Sequence, residues 1–164
     1  MREIKLSQGK VALLDDDDYE YLSQWKWYAS KGTDTFYAKR TINAKGRVLR
    51  MHRVLMNAKK GVIIDHRDRN GLNNQRYNLR KCSSSQNCCN RHPRNNVSSI
   101  YKGVSYCNTR NMWVARINKT HKSRHLGYFD TQLEAVIIYN IAARKYHGEF
   151  ANPNTFKHCH KLSL

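Results

Sequence analysis

The sequence predicts an α+β fold, on three observations. Residues 1–60 run in short alternating stretches broken by polar turns. Residues 61–91 pass from an apolar run straight into a long loop rich in asparagine, then back to a strand and a short helix. Residues 99–152 offer three short strands and one long helix that carries a stop or start signal at each end. Period-two alternation marks half-buried strands, and a 3.6-residue period marks helix.

The N-terminal region, residues 1–60, reads as β-rich. REIKLSQGKVALLD gives two short strands with a turn at Gln8-Gly9. In DDDDYEYLSQWKWYA the four aspartates suit a helix N-terminal cap, where carboxylates meet unsatisfied N–H groups and the positive end of the helix dipole. A cation site is the alternative use for them. Tyr19, Leu22, Trp25 and Trp27 then form a packed element. TFYAKRTINAKGRVLRMHRVLM reads as a hairpin turning at Ala44-Lys45-Gly46, followed by the apolar segment MHRVLM.

In residues 61–91, VIIDHRD is a buried strand ending at Asp65-His66, NLRKC the returning strand, and SSSQNCCNR a short helix capped by Ser83 or Ser84. Residues 92–98 are a polar linker containing Pro93. In residues 99–152, YKGVSYCN, MWVARINK and RHLGYFD are three strands. TQLEAVIIYNIAARKYHG is the helix, with Thr131 and Glu134 as a capping box and Gly148 at the C-terminal cap. Leu133, Ile137, Ile141, Tyr139, Ala142 and Ala143 give it a broad apolar side to cover the sheet. The other side of the sheet is then free and carries Lys102, Arg116, Lys119 and Arg124. Residues 153–164 are a tail.

Charge narrows the function. Thirty Lys and Arg stand against twelve Asp and Glu, a net +18. The excess is +6 in residues 1–64, +5 in 65–97 and +7 in 98–164, so the folded body is basic throughout. A polyanion is the expected partner, and nucleic acid the default; charge does not choose between double-stranded DNA and RNA. No run of eighteen apolar residues occurs, and MREIKLSQGK lacks the apolar core of a signal peptide, so neither a membrane span nor export is expected. Five unevenly spaced cysteines fit a reduced compartment. An intracellular setting is therefore expected.

The strand, loop, strand, helix order of residues 61–91 makes a ββα hairpin, in which Asn87 packs back towards Asp65. A carboxylate and an amide oxygen are hard donors suited to Mg²⁺ or Mn²⁺. His66 projects to the other side of the strand and can deprotonate water near neutral pH. Asp68 and Asn70 read as turn residues. His52 is either a packed structural histidine or a support for the site.

DHRDRNGLNNQRYNLR, SSSQN and the upstream MHR resemble the HNH (ββα-metal) nucleases, in particular phage-borne homing-type endonucleases with a His-Asn-Asn triad at His66, Asn78 and Asn87. The resemblance spans residues 48–90. It implies one divalent metal on Asp65 and Asn87, His66 as general base, and Asn78 as a brace that orients the histidine. Asn87 in place of histidine favours Mg²⁺ or Mn²⁺ over Zn²⁺. Arg67, Arg69, Arg76 and Arg80 are the expected phosphate contacts. Cys82, Cys88, Cys89 and His92 lack Cys-x-x-Cys spacing, as does Cys159 between His158 and His160, so structural zinc is not expected. The resemblance also implies the cytoplasm of a bacterial or phage-infected cell, close to the nucleoid, as the setting and no organic cofactor; the oligomeric state stays open, with a monomer as the first expectation.

YKGV, MWVARI, LGYFDT and EAVIIYNIAARKYHG resemble the APETALA/ethylene-response-factor DNA-binding domain over residues 99–152. That resemblance implies a sheet lying in the major groove. Lys102, Trp113, Arg116, Asn118 and Arg124 fall at or near reading positions, and Lys119 and Lys122 are placed for phosphate. Ser105 and Leu126 depart from the family pattern, so base preference does not carry over. Trp113 has a second use, as a core residue between sheet and helix. The expectation is therefore a DNA endonuclease targeted by its C-terminal sheet. Its competitors are a non-catalytic, sequence-specific DNA-binding protein and an RNA-directed one. The complete set Asp65, His66, Asn78 and Asn87 weighs against the first, and Tyr101, Tyr106 and Trp113 do not decide the second.

Overall fold

The computed structural model describes residues 1–42, 46–91, 98–119 and 122–156. They form two compact units, residues 1–87 and 88–164. The fold is α+β: small antiparallel sheets with few helices. Among the described residues no helix is long and apolar enough to cross a membrane.

Unit 1 begins with β1 (Arg2–Lys5) and β2 (Val11–Leu14), an antiparallel pair. Gln8 and Gly9 join them, both at positive φ (62° and 64°), the backbone a tight hairpin turn demands. Helix α1 (Asp16–Ser23) follows. Next come β3 (Tyr28–Lys31), β4 (Phe36–Thr41) and β5 (Val48–Arg50), ordered β3-β4-β5 in one antiparallel sheet. Ala44 and Lys45, the expected turn between β4 and β5, lie outside the described residues. Helix α2 (Met51–Leu55) leads to the hairpin of β6 (Ile63–His66) and β7 (Leu79–Cys82). Helix α3 (Ser84–Asn90) closes the ββα arrangement. Ser83 caps it reciprocally: its Oγ accepts from the Gln86 N–H (3.2 Å) and its own N–H donates to Gln86 Oε1 (2.8 Å).

One core unites these pieces. Ile4, Ala12, Leu14, Leu22, Trp27, Ala38, Met51, Leu55, Ile64 and Leu79 bury their side chains together. Trp27 satisfies its indole N–H by donating to the Leu22 carbonyl (2.9 Å) at the end of α1. The loop between β6 and β7 is stitched to β2: the Leu13 N–H donates to the Leu72 carbonyl (2.9 Å), and the Asn74 N–H to the Leu13 carbonyl (2.8 Å). Gly71 allows this loop to lie flat on β4. A Cβ there would stand 2.5 Å from the Phe36 carbonyl oxygen and 2.7 Å from the Tyr37 ring.

Unit 2 contains β8 (Val104–Cys107), β9 (Met112–Lys119) and β10 (Lys122–Phe129), with β9 central, backed by α4 (Gln132–His147). The Thr131–Glu134 capping box is formed, and Gly148 takes the positive φ (53°) expected at the C-terminal cap. Val104, Ala115 and Ile117 meet Ala135, Val136, Tyr139, Ala142 and Ala143 in the core. The expected apolar side of α4 is corrected in part. Leu133, Ile137 and Ile141 are exposed (55, 43 and 55 %). The small residues Ala135, Ala142 and Ala143 face inward instead, because they let the helix approach the sheet closely.

Candidate active site and nucleic-acid-facing sheet

Strand alternation sets the chemistry of β6, since successive side chains point to opposite sides. Asp65 lies opposite Arg80 on β7, and His66 opposite Leu79. Both site residues are buried, at 6 % exposure. Arg80 Nε and Nη2 both reach Asp65 Oδ2 (2.9 and 2.7 Å). The carboxylate is thus held in a fixed rotamer by a charge-assisted fork.

The His66 ring packs edge-to-face on His52 (centroids 4.9 Å apart) and lies beside Tyr37 (5.9 Å). Burial lowers the His66 pKa from its ordinary value. The nearby Asn74 side chain and the carboxylates of Asp68 and Asp65 offset part of that. The imidazole is accordingly neutral at pH 7. His52 is 4 % exposed, with no hydrogen bond at Nδ1. Burial pushes its pKa down to about 3, aided by the repulsion a protonated His66 would add and by the guanidinium charges of Arg50 and Arg53.

Asn78 sits at the end of a 3-10 turn, Arg76–Asn78, immediately before β7. It is 1 % exposed. Its Oδ1 accepts from the Asp68 N–H (3.0 Å) and its carbonyl from the Arg67 N–H (2.9 Å). Its Nδ2 donates to Asp68 Oδ1 (2.9 Å) and to the Asn73 carbonyl (2.8 Å). The two residues that follow His66 are therefore fastened to Asn78. Asp68 also accepts from the Asn70 N–H (2.8 Å) and Asn73 Nδ2 (2.7 Å), and Asn70 Oδ1 from the Leu72 N–H (3.1 Å). These are the Asx turns that the run of Asp and Asn suggests. Asn87 lies on α3, half-buried, its N–H donating to the Ser83 carbonyl (3.0 Å).

The four expected phosphate contacts of this unit separate. Arg67 and Arg69 are exposed on the loop after His66. Arg76 makes a bidentate pair with Asp18 (2.8 and 2.6 Å) while over half of its side chain stays exposed. Arg80 is inside the unit, forked on Asp65, which removes it from the surface where phosphate would lie. The aspartates of α1 serve as expected in part: Asp16, Asp17 and Asp18 stand in its first turn, at the positive end of the helix dipole. Asp15 occupies the N-cap position but makes no side-chain capping bond. Asp15, Asp18, Asn74 and Tyr37 were not among the candidates. The first two carried a signal, since four adjacent acids in a chain of +18 need cations nearby.

In unit 2 the strand register decides which residues share a side of the sheet. Val104 pairs with Ala115, placing both beneath α4. Arg116 pairs with His125, and Asn118 with Ser123, on the open side. His125 stacks on Tyr128 (4.6 Å), and Arg110 lies over that same ring (4.6 Å). Arg116 and Asn118 thus stand where the sequence places them, and His125 joins them. The other candidates of this unit are placed differently. Arg124 pairs with Ile117, on the α4 side, and with Lys119 it lies over the Tyr146 ring of α4 (5.5 and 5.1 Å). Lys122 pairs with Lys119 at the end of the same hairpin. Lys102 turns its ammonium onto the carbonyls of Cys89 and Arg91. Trp113 packs against the core beneath α4, edge-to-face with Tyr106 (5.1 Å).

Cys82, Cys88, Cys89 and Cys107 form no disulfide, and burial pushes Cys82 up to about 11, leaving it protonated at neutral pH. His92, Pro93, His158, Cys159 and His160 lie outside the described residues.

β6, β7 and α3 make a ββα unit with a buried histidine and carboxylate. An uncharacterised HNH endonuclease of Acanthamoeba polyphaga mimivirus is 30 % identical over 154 residues, 90 % of this chain and 76 % of the relative. The chain belongs to the HNH endonuclease family. Protein 3.8 of Escherichia phage T7 is 36 % identical over 93 residues, 56 % of this chain and 75 % of its own. Dehydration-responsive element-binding protein 2D of Arabidopsis thaliana is 43 % identical over 61 residues, 36 % of this chain and 29 % of its own. No family model matches the chain. No solved structure matches it.

Proposed function

We propose that the protein is a divalent-metal-dependent DNA endonuclease whose reaction centre is Asp65, His66, Asn78 and Asn87, positioned on its target by the C-terminal sheet. The observation that carries this is a buried, neutral imidazole one residue from a buried carboxylate, its loop tied to Asn78, in a chain that matches an HNH endonuclease over 90 % of its length. His66 takes the proton from the attacking water, which requires the neutral form that burial provides. Asn78 holds the loop after His66 by its bonds to Arg67 and Asp68, and so fixes the imidazole.

Asp65 and Asn87 offer a carboxylate and an amide oxygen, hard donors that fit Mg²⁺ or Mn²⁺ better than Zn²⁺. Arg80 already neutralises the carboxylate, so a cation there shares Asp65 with the guanidinium or displaces it. When bound, the metal supplies charge stabilisation for the phosphoryl group and the leaving 3′-oxygen. Arg67 and Arg69, exposed beside His66, are the phosphate contacts. In unit 2, Arg116 and Asn118 on the open side of the sheet meet the DNA, with Lys119, Lys122 and Arg124 at its rim. The likeness to a plant element-binding protein supports that role.

Supercoiled plasmid incubated with the protein and Mg²⁺ or Mn²⁺ tests the proposal. Wild type converts it to nicked or linear forms, whereas His66→Ala and Asn87→Ala lose at least about 100-fold in rate. An intact plasmid with wild type over a range of DNA substrates overturns the nuclease assignment. Undiminished cutting by His66→Ala removes His66 as the base.

A further inference from the structure

We propose that Asp15 and Asp18, at the start of α1, are positioning residues for the nuclease centre: they clamp the 3-10 turn that carries Asn78. This rests on the nuclease assignment and names where the centre is anchored. Asp15 uses both oxygens on that turn. Oδ1 accepts from Gln75 Nε2 (3.2 Å) and Oδ2 from the Arg76 backbone N–H (2.7 Å). Asp18, 6 % exposed, takes the Arg76 fork on both of its oxygens (2.8 and 2.6 Å). Together they fasten the backbone and the side chain of one residue, two positions before Asn78.

The chain of contacts from there to His66 is short. Asp15 and Asp18 hold Arg76. The turn Arg76–Asn78 presents Asn78, and Asn78 binds the amides of Arg67 and Asp68. The parallel bridge between Leu13 and Asn73 fixes the other side of the same turn, so β2 and α1 grip it from both ends. Asp15 makes no side-chain capping bond on its own helix, so its carboxylate is committed to the loop. Capping, the commonest use of an aspartate at that position, is the one it forgoes.

Nicking kinetics and amide hydrogen exchange on the full chain test this with Asp18→Asn, Arg76→Gln and the double variant. Asp18→Asn is expected to lower kcat roughly 10- to 100-fold, the range seen when an outer partner of a site residue is removed. KM for plasmid stays within about threefold, because the clamp acts on geometry and not on DNA affinity. Arg76→Gln gives the same loss, and the double variant is no slower than either single, as partners in one contact require. Amides of Arg67 and Asp68 lose protection while those paired between β3 and β4 keep theirs. Unchanged kcat in Asp18→Asn overturns the proposal, as do losses that multiply in the double variant. A rise in KM alone assigns Arg76 to DNA binding instead, and loss of protection throughout unit 1 reduces the clamp to a folding contact. If wild type does not cut, the nuclease assignment fails by itself. Exchange at Arg67 and Asp68 then still decides whether Asp18 holds the turn, and unchanged protection there refutes it.

Discussion

Acid is expected to destabilise unit 1 through His52, by an amount the structure sets. An ordinary histidine titrates near 6.5, whereas burial holds His52 at about 3. Above pH 6.5 the ring is neutral whether the chain is folded or not, and His52 contributes no pH dependence. Between 6.5 and 3 the unfolded chain binds a proton that the folded chain refuses, so stability falls as pH falls. Below 3 both states are protonated and the loss levels off. From pH 7 to pH 4.5 the unfolded ring moves two units below its pKa, which amounts to about 3 kcal/mol at 1.36 kcal/mol per unit. Guanidinium unfolding at the two pH values measures this, with Trp113→Phe as background so that fluorescence reports Trp25 and Trp27 of unit 1. The stability lost on acidification should be about 3 kcal/mol smaller in His52→Gln, which cannot titrate. Equal losses in the two proteins would refute the idea that His52 is buried neutral.

Other consequences are simpler to check. Chelation with EDTA should abolish plasmid nicking, and added Mg²⁺ or Mn²⁺ should restore it; cutting that survives chelation rejects the metal. Gly71→Ala should cost roughly 1–3 kcal/mol in the unfolding of unit 1, since the new methyl meets the Phe36 carbonyl at 2.5 Å. Arg116→Ala, at an exposed site, should leave the Tm unchanged and reduce the salt dependence of DNA binding by about one unit of slope. Trp113→Ala should do the reverse, lowering the stability of unit 2 with little effect on that slope.

What the sequence disclosed depended on how local the cause was. The capping boxes at Thr131 and Ser83, the Gln8-Gly9 turn and the ββα order of β6, β7 and α3 are decided within a few residues, and all stand in the structure. The buried side of α4 was harder to see because the helix is apolar nearly all the way round, so its periodicity did not choose between Ile137 and Val136. Arg124 was misplaced for a definite reason. A register shift between His125 and Gly127 inserts Leu126, and counting back from Phe129 across it exchanges the two sides of the sheet. In the site, the placing of Asp65 and His66 at the end of β6 follows from strand alternation, whereas Asn78 was legible only through the resemblance to the HNH nucleases. The Arg80 fork needed the pairing of β6 with β7. The Asp15 and Asp18 contacts needed the three-dimensional meeting of segments that no local pattern records.

That meeting has a consequence for the order of assembly. Asp15 and Arg76 are 61 positions apart, and Asp18 and Arg76 58 apart. Contacts so distant along the chain form late, after the entropy of closing a long loop has been met. During synthesis the N-terminal hairpin and α1 emerge first and wait. Nothing can hold Asn78 against the histidine loop until the ribosome has released the chain beyond residue 80. A nascent fragment shorter than that would lack the Asn78 bonds that tie down the loop after His66.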